Sequence, residues 1–305
     1  MAELKFGAWT PDRTPRGSEL VTASNCVPVN GIYEQFLGAS TSGAALAAVP
    51  IGGFHAYDGE GSAYVYAGTA TNIYQAGTSS WTDKSRSGGY TTQADTVWRF
   101  TQYGKFVLAA NLNEPIQIAT IGGNFADLGS DLPRAKTLGI IRNFVVAGDI
   151  MALEGYLPNS IQWSAIDDPT DWPIPLTLDA LAKQSGKQDL NAIYGNVNFI
   201  GNGERFGTVL QERGVSRVSY IGGNAVFQFD TFEKTHGAFT KGGNVQVDDI
   251  VYYLSEHGFF KTDGHEVKDI GYGKVNQTFL ADFNKGSAIS GHGLLALSTH
   301  MGRHN

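Results

Sequence analysis

The carboxylates of this chain gather once. In the stretch IQWSAIDDPTDWPIP, Asp167, Asp168 and Asp171 surround Pro169 and lie between Trp163 and Trp172. Aspartate oxygens are hard ligands that suit calcium. A carboxylate pair flanked by aromatic platforms is also what acid/base cleavage of a glycosidic bond requires. The same residues make equally good structure: Asp-Pro-Thr-Asp is a turn whose carboxylates accept from local N–H groups, leaving the tryptophans to cover a neighbouring element or a partner subunit. The structural role is the expected one, and Trp163, Asp167, Asp168, Asp171 and Trp172 are singled out as candidate interface residues.

Other chemistries lack their residues. Seven histidines stand at 55, 236, 257, 265, 292, 300 and 304, and no two have the i, i+4 spacing with an intervening Glu that builds a zinc protease site. His257 and His265 flank one expected hairpin, where they could meet but would lack a third ligand. The run Gly201-Asn202-Gly203-Glu204-Arg205-Phe206-Gly207 has its third glycine one residue late for a dinucleotide loop. A strand-like segment follows it instead of the helix whose N-terminus would hold pyrophosphate, so it reads as a tight hairpin turn. No phosphate-binding P-loop, no G-x-S-x-G elbow and no Cys/His pair is present. The expectation is no metal, no cofactor and no catalytic residue.

The elements that must position these residues are strands. The chain has 305 residues, 39 of them glycine, and only 17% are charged. Ordinary proteins have ~7% glycine and ~25% charged residues, so turns are many and helices few. From residue 63 onward, β-branched and aromatic runs of four to seven residues alternate with Gly, Asn or Asp stops, the signature of strands. Fourteen such runs are readable, among them AYVYAGT, KFVLAAN, GIIRNFVVAGD, VNFIGNG and DIVYYLSEHG. Residues 39–54 read as strand or loop, because Gly43, Pro50 and the Gly52-Gly53 pair would interrupt a helix. An apolar strand closed by a small or polar turn recurs at Tyr64, Phe106, Phe144, Val197 and Val251. A repeat of roughly 40 to 50 residues with four strands per unit is the mark of a β-propeller. The fold class is therefore all-β: a β-propeller-like body of about five to six four-stranded blades over 41–284, an extended N-terminal arm over 1–40, and a short divergent tail over 285–305. The dense aromatic stretch of Trp81, Tyr90, Trp98, Phe100 and Tyr103 is expected to pack between blades or to form a contact surface.

Charge and cysteine usage narrow the function classes. A net charge of -7 argues against tight nucleic-acid binding, whose affinity comes from clustered Lys and Arg. The single cysteine, Cys26, excludes an intrachain disulfide framework and suits a reducing compartment. No apolar run approaches the roughly 18 to 20 residues of a membrane span, and the opening MAELKFGAWTPDRTPRG lacks an unbroken apolar signal core.

Several long stretches in order resemble one family. They are FGAWTPDRTP with ASNCVPVNGIYEQFLG; SSWTDKSRSGGYTTQADTVWRFTQYGKFVLAANLNEPIQ; NSIQWSAIDDPTDW; and ERGVSRVSYIGGNAVFQFD with VYYLSEHGFFKTDG and DIGYGKVNQTFLADFN. Together they make the chain similar to the tail-hub and nozzle proteins of short-tailed bacteriophages, also called packaged-DNA stabilisation or head-completion proteins. The resemblance implies a non-enzymatic propeller in a homo-hexameric ring at the virion tail, assembled in the bacterial host cytoplasm. Its partners would be portal or adaptor and other tail proteins (tailspike or fibre), with double-stranded DNA passing through without tight binding. A polyanion passes most easily through a neutral or acidic lumen, which the net charge suits. After Asn284 the chain departs from the family, so closure of the last blade by the N-terminal arm or by a neighbouring subunit is expected. The alternative classes are a carbohydrate-binding or carbohydrate-cleaving propeller and a host scaffold propeller.

Overall fold

The computed structural model describes residues 7–29, 32–36, 43–93, 96–129 and 132–283; the tail expected over 285–305 lies outside the described residues. The chain folds into a five-bladed β-propeller. Each blade is one four-stranded antiparallel sheet in which four consecutive strands pair in chain order. A two-stranded ribbon, β1 (Cys26–Val29) and β2 (Ile32–Gln35), precedes the blades. Blade one is β3 (Gly52–Tyr57), β4 (Ala63–Gly68), β5 (Ile73–Ala76) and β6 (Trp81–Asp83). Blade two is β7 (Arg99–Tyr103), β8 (Phe106–Ala110), β9 (Gln117–Thr120) and β10 (Ala126–Asp127). Blade three is β11 (Arg134–Ile141), β12 (Phe144–Ala152), β13 (Gly155–Trp163) and β14 (Gly186–Asp189). Blade four is β15 (Val197–Gly201), β16 (Phe206–Gln211), β17 (Val215–Gly222) and β18 (Val226–Glu233). Blade five is β19 (Asn244–Val247), β20 (Ile250–Ser255), β21 (Gly258–Thr262) and β22 (Val267–Asp269). The first strands lie innermost, β3 against β7, β7 against β11 and β11 against β15.

Side chains alternate across a strand, and here both faces of the middle strands meet a neighbouring blade. In β8, Val107 and Ala109 enter the core shared with blade one, while Leu108 and Ala110 enter the core shared with blade three. In β12, Val145 and Ala147 face blade two, and Phe144 and Val146 face blade four. In β16, Val209 packs toward blade three and Leu210 toward blade five. A strand buried on both faces reads as a continuous apolar run, which explains why these segments stood out. Tyr90 and Trp98 fill the core between blades one and two, with ring centroids 4.9 Å apart. The blades approach closely enough to demand glycine: a Cβ on Gly139 would come within 2.5 Å of Ile200 Cγ2 and 2.8 Å of the Ile200 carbonyl oxygen.

Three expectations need correction. The run Gly139–Asp149, read as one strand, is the β11–β12 hairpin, with Ile141 paired to Phe144 and Arg142 in the left-handed region at φ 54°. The repeat marked at Val197 falls on the first strand of blade four; the equivalent second strand is β16, beginning at Phe206. The apparent period is stretched by the segment between β13 and β14. Lastly, among the described residues no strand of the arm completes a blade. β19–β22 are consecutive, and behind them α2 (Asn276–Asp282) packs on β21, with the Phe279 and Phe259 centroids 4.7 Å apart. The arm meets this helix instead. The Asp12 carboxylate accepts from the N–H groups of Gln277 and Thr278, each at 2.8 Å, in the place of a side-chain cap, which Val275 does not provide. Burial opposes the charge of Asp12, but the Thr278 and Gln277 hydrogen bonds outweigh it and hold the carboxyl below its ordinary range.

Candidate functional site

Most third and fourth strands of a blade are joined by a short turn, as at Gly77–Ser80 or Gly223–Ala225. In blade three, residues 164–185 intervene, including the short helix α1 (Leu178–Ala182). This insertion holds four of the five residues singled out in the sequence, the fifth, Trp163, being the last residue of β13, and the carboxylates there are occupied by local structure. Asp167 accepts from Asn143 Nδ2. Asp168 accepts from the Thr170 N–H and hydroxyl at 2.8 and 2.7 Å, which lower its pKa with the hydroxyl bond leading. Asp171 and Asp179 both pair with Lys183, at 2.9 and 3.0 Å. Thr177 caps α1 through Ala180 N. Among the described residues no three His, Cys, Asp or Glu side chains converge to hold a metal.

Of their two expected places, a neighbouring blade or a partner subunit, the tryptophans take the first. Trp163 is buried between blades three and four, edge-on to Phe227 at 5.2 Å, and its Nε1 donates to the Gln184 carbonyl at 2.9 Å. Trp172 is 6% exposed in the core between blades two and three, and its Nε1 donates to the Pro169 carbonyl at 2.9 Å. Both rings are spent inside the chain, so neither is a subunit anchor or a sugar platform. Asp167 and Asp168 are exposed and Asp171 is half-buried. The exposed apolar surface of the insertion lies just beyond them: Ile174, Leu176, Leu178 and Leu181. Leu176 is 100% exposed and left-handed at φ 67°, a conformation that costs a leucine roughly 1–2 kcal/mol. The signal in the sequence was the spacing of aliphatic residues after Pro173 and Pro175 in a segment otherwise full of turn residues.

A second cluster gathers near the inner strands at the opposite ends of the same sheets. Lys136 on β11 stands across from Asp149 on β12, within the pairing that runs from Ala135–Ile150 to Thr137–Gly148. The Asp149 side chain is wholly buried. Its Oδ2 lies 2.8 Å from Lys241 Nζ and 3.3 Å from Lys136 Nζ, and its Oδ1 is buried without a hydrogen-bond partner. Asp149 is also left-handed, at φ 53°. Lys136 donates to the Tyr156 hydroxyl at 2.5 Å and lies 4.8 Å from the centre of that ring. Lys241 comes from the connection between blades four and five. Burial pushes its pKa down to about 8, against the pull of Asp149 and with the help of Lys136. Burial also opposes the charge of Lys136, but the Tyr156 and Asp149 interactions outweigh it and raise its pKa. No sequence motif announced these four residues.

The remaining candidates are apart. His265 lies against Arg217 and Phe206, whereas His257 meets the His236 ring at 5.6 Å. Gly201 to Phe206 is the β15–β16 hairpin.

No protein-family profile and no curated protein sequence matches this chain. Among solved structures, the computationally designed Ika8 protein is similar at TM-score 0.44 and 12% identity, over 76% of this chain and 65% of that one. Virginiamycin B lyase from Staphylococcus aureus is similar at TM-score 0.43 and 14% identity, over 72% and 68%. The designed Ika4 protein is similar at TM-score 0.38 and 12% identity, over 65% and 99%. The chain thus spans about two thirds of the first two. Likeness of fold at this distance does not carry an activity with it.

Proposed function

We propose that this chain is a structural, non-enzymatic protein of a bacteriophage tail: a hub or nozzle propeller that assembles as a homo-hexamer and forms part of the axial channel for DNA retention and ejection. The ordered motif stretches of the sequence support the family, and the propeller body is the architecture that the family resemblance implies. The observation that carries the assembly role is the tip of the blade three insertion. Four aliphatic side chains stand out together beside carboxylates already engaged by Lys183, Thr170 and Asn143. Exposed aliphatic side chains in one short segment of a folded surface serve protein contact. Portal or adaptor and tailspike or fibre proteins are the partners in this reading, and the virion tail is the location.

Immunogold electron microscopy of virions from the phage carrying this gene tests the proposal. Label confined to the tail or neck is expected; virions without label overturn it.

A further inference from the structure

Two ammonium groups share one carboxylate oxygen at the inner end of blade three. Lys136 and Lys241 both face Asp149 Oδ2, and among the described residues no other carboxylate pairs with either. The cluster therefore carries one uncompensated positive charge, on side chains only about one third exposed, within a chain of net charge -7. A tie between the blades would need only one lysine. Adding a second cation beside it raises the desolvation cost without adding a partner, as the lowered pKa of Lys241 reflects.

The donors left over point the same way. Each ammonium has three N–H donors. Lys241 gives one to Asp149, and Lys136 gives one to the Tyr156 hydroxyl and turns another toward the shared Asp149 oxygen at 3.3 Å. That hydroxyl accepts from Lys136, and burial with Asp149 beside it raises its pKa and keeps its proton on the oxygen. Tyr156 is itself substantially exposed, so the cluster is open on its side. Charge-assisted hydrogen bonds from paired cations are the usual means of holding an oxyanion.

We propose that Lys136, Lys241 and the Tyr156 hydroxyl form a binding site for a small oxyanion, a phosphate or carboxylate group, with Asp149 as the residue that positions the two amines. The ligand neutralises the excess charge and takes the free donors from three separate elements: β11, β13 and the connection between blades four and five.

Isothermal titration of the whole chain with inorganic phosphate, and separately with acetate, at constant ionic strength in chloride tests this. At least one anion is expected to bind saturably with one site per chain, and which one does so distinguishes a phosphate from a carboxylate ligand. Lys241→Met should weaken that binding about tenfold or more, since it removes a charge-assisted donor. Tyr156→Phe should weaken it severalfold with the melting temperature unchanged. The site is overturned if neither anion binds the wild-type chain, or if the variants bind the anion as tightly as wild type does. Should Lys241→Met fail to fold, Tyr156→Phe, which removes only the hydroxyl of a partly exposed ring, decides the matter alone.

Discussion

Replacing Trp172 by alanine separates a core residue from a contact residue. The ring is 6% exposed and packs in the core that joins blades two and three. Truncating a buried tryptophan costs about 3–5 kcal/mol through lost transfer energy and the cavity left behind. The hydrogen bond from Nε1 to the Pro169 carbonyl adds about 1 kcal/mol, although water reaching the freed carbonyl offsets part of that. A loss of about 4 kcal/mol is a large share of the ~5–15 kcal/mol that holds a domain together, and for a chain of 305 residues corresponds to a fall in Tm of roughly 6 °C. Urea unfolding of the purified chain, followed by far-ultraviolet circular dichroism, reads this directly. The control is Leu176→Asp, whose side chain is fully exposed; it should shift stability by less than about 0.5 kcal/mol while abolishing the ring assembly proposed above. The reasoning is refuted if Trp172→Ala stays within about 1 kcal/mol of wild type, or if Leu176→Asp destabilises as strongly as Trp172→Ala.

Two further outcomes follow from packing and charge. Gly139→Ala should cost about 1–3 kcal/mol in the same unfolding assay, because its methyl group would meet both the side chain and the carbonyl of Ile200; Gly59→Ala, where a Cβ meets nothing within 4 Å, should leave stability nearly unchanged. Lys241 makes stability depend on pH in the alkaline range. Its folded pKa of about 8 lies below the ordinary 10.5, so between those values the unfolded chain binds more protons, and the contribution of Lys241 to stability rises with pH. Urea midpoints for wild type and Lys241→Met across that window should show this rise in wild type alone, with Lys136 and Asp149, the groups facing Lys241, present in both.

What the sequence disclosed follows from where each strand lies. β8, β12 and β20 were legible because their second-strand position buries both faces, and an uninterrupted apolar run is the result. β6, β10 and β14 lie at the outer edge of their blades; they are short and rich in Asp, Thr and Lys, so nothing in them distinguishes a strand from a turn. Trp163 and Trp172 were found, but the sequence left open whether they cover a neighbouring blade or a partner subunit. Their neighbours are turn residues, and the local pattern suggested a surface loop, while the rings reach back between blades through contacts remote in sequence. The lysine cluster was illegible for a related reason: Lys136, Asp149, Tyr156 and Lys241 span more than 100 positions, and only the ring of blades brings Lys241 to Asp149, 92 residues away in the chain.

The two hydrogen bonds that Asp12 accepts join segments 265 and 266 residues apart, and among the described residues the arm lends no strand to any blade. A ring held in this way has a clasp that can open while its blades stay paired. In native-state hydrogen exchange, the amides of Gln277 and Thr278 should therefore lose protection together with the arm, at an opening energy well below that of β8 or β12, and Asp12→Ala should accelerate their exchange while leaving the strands as slow as before.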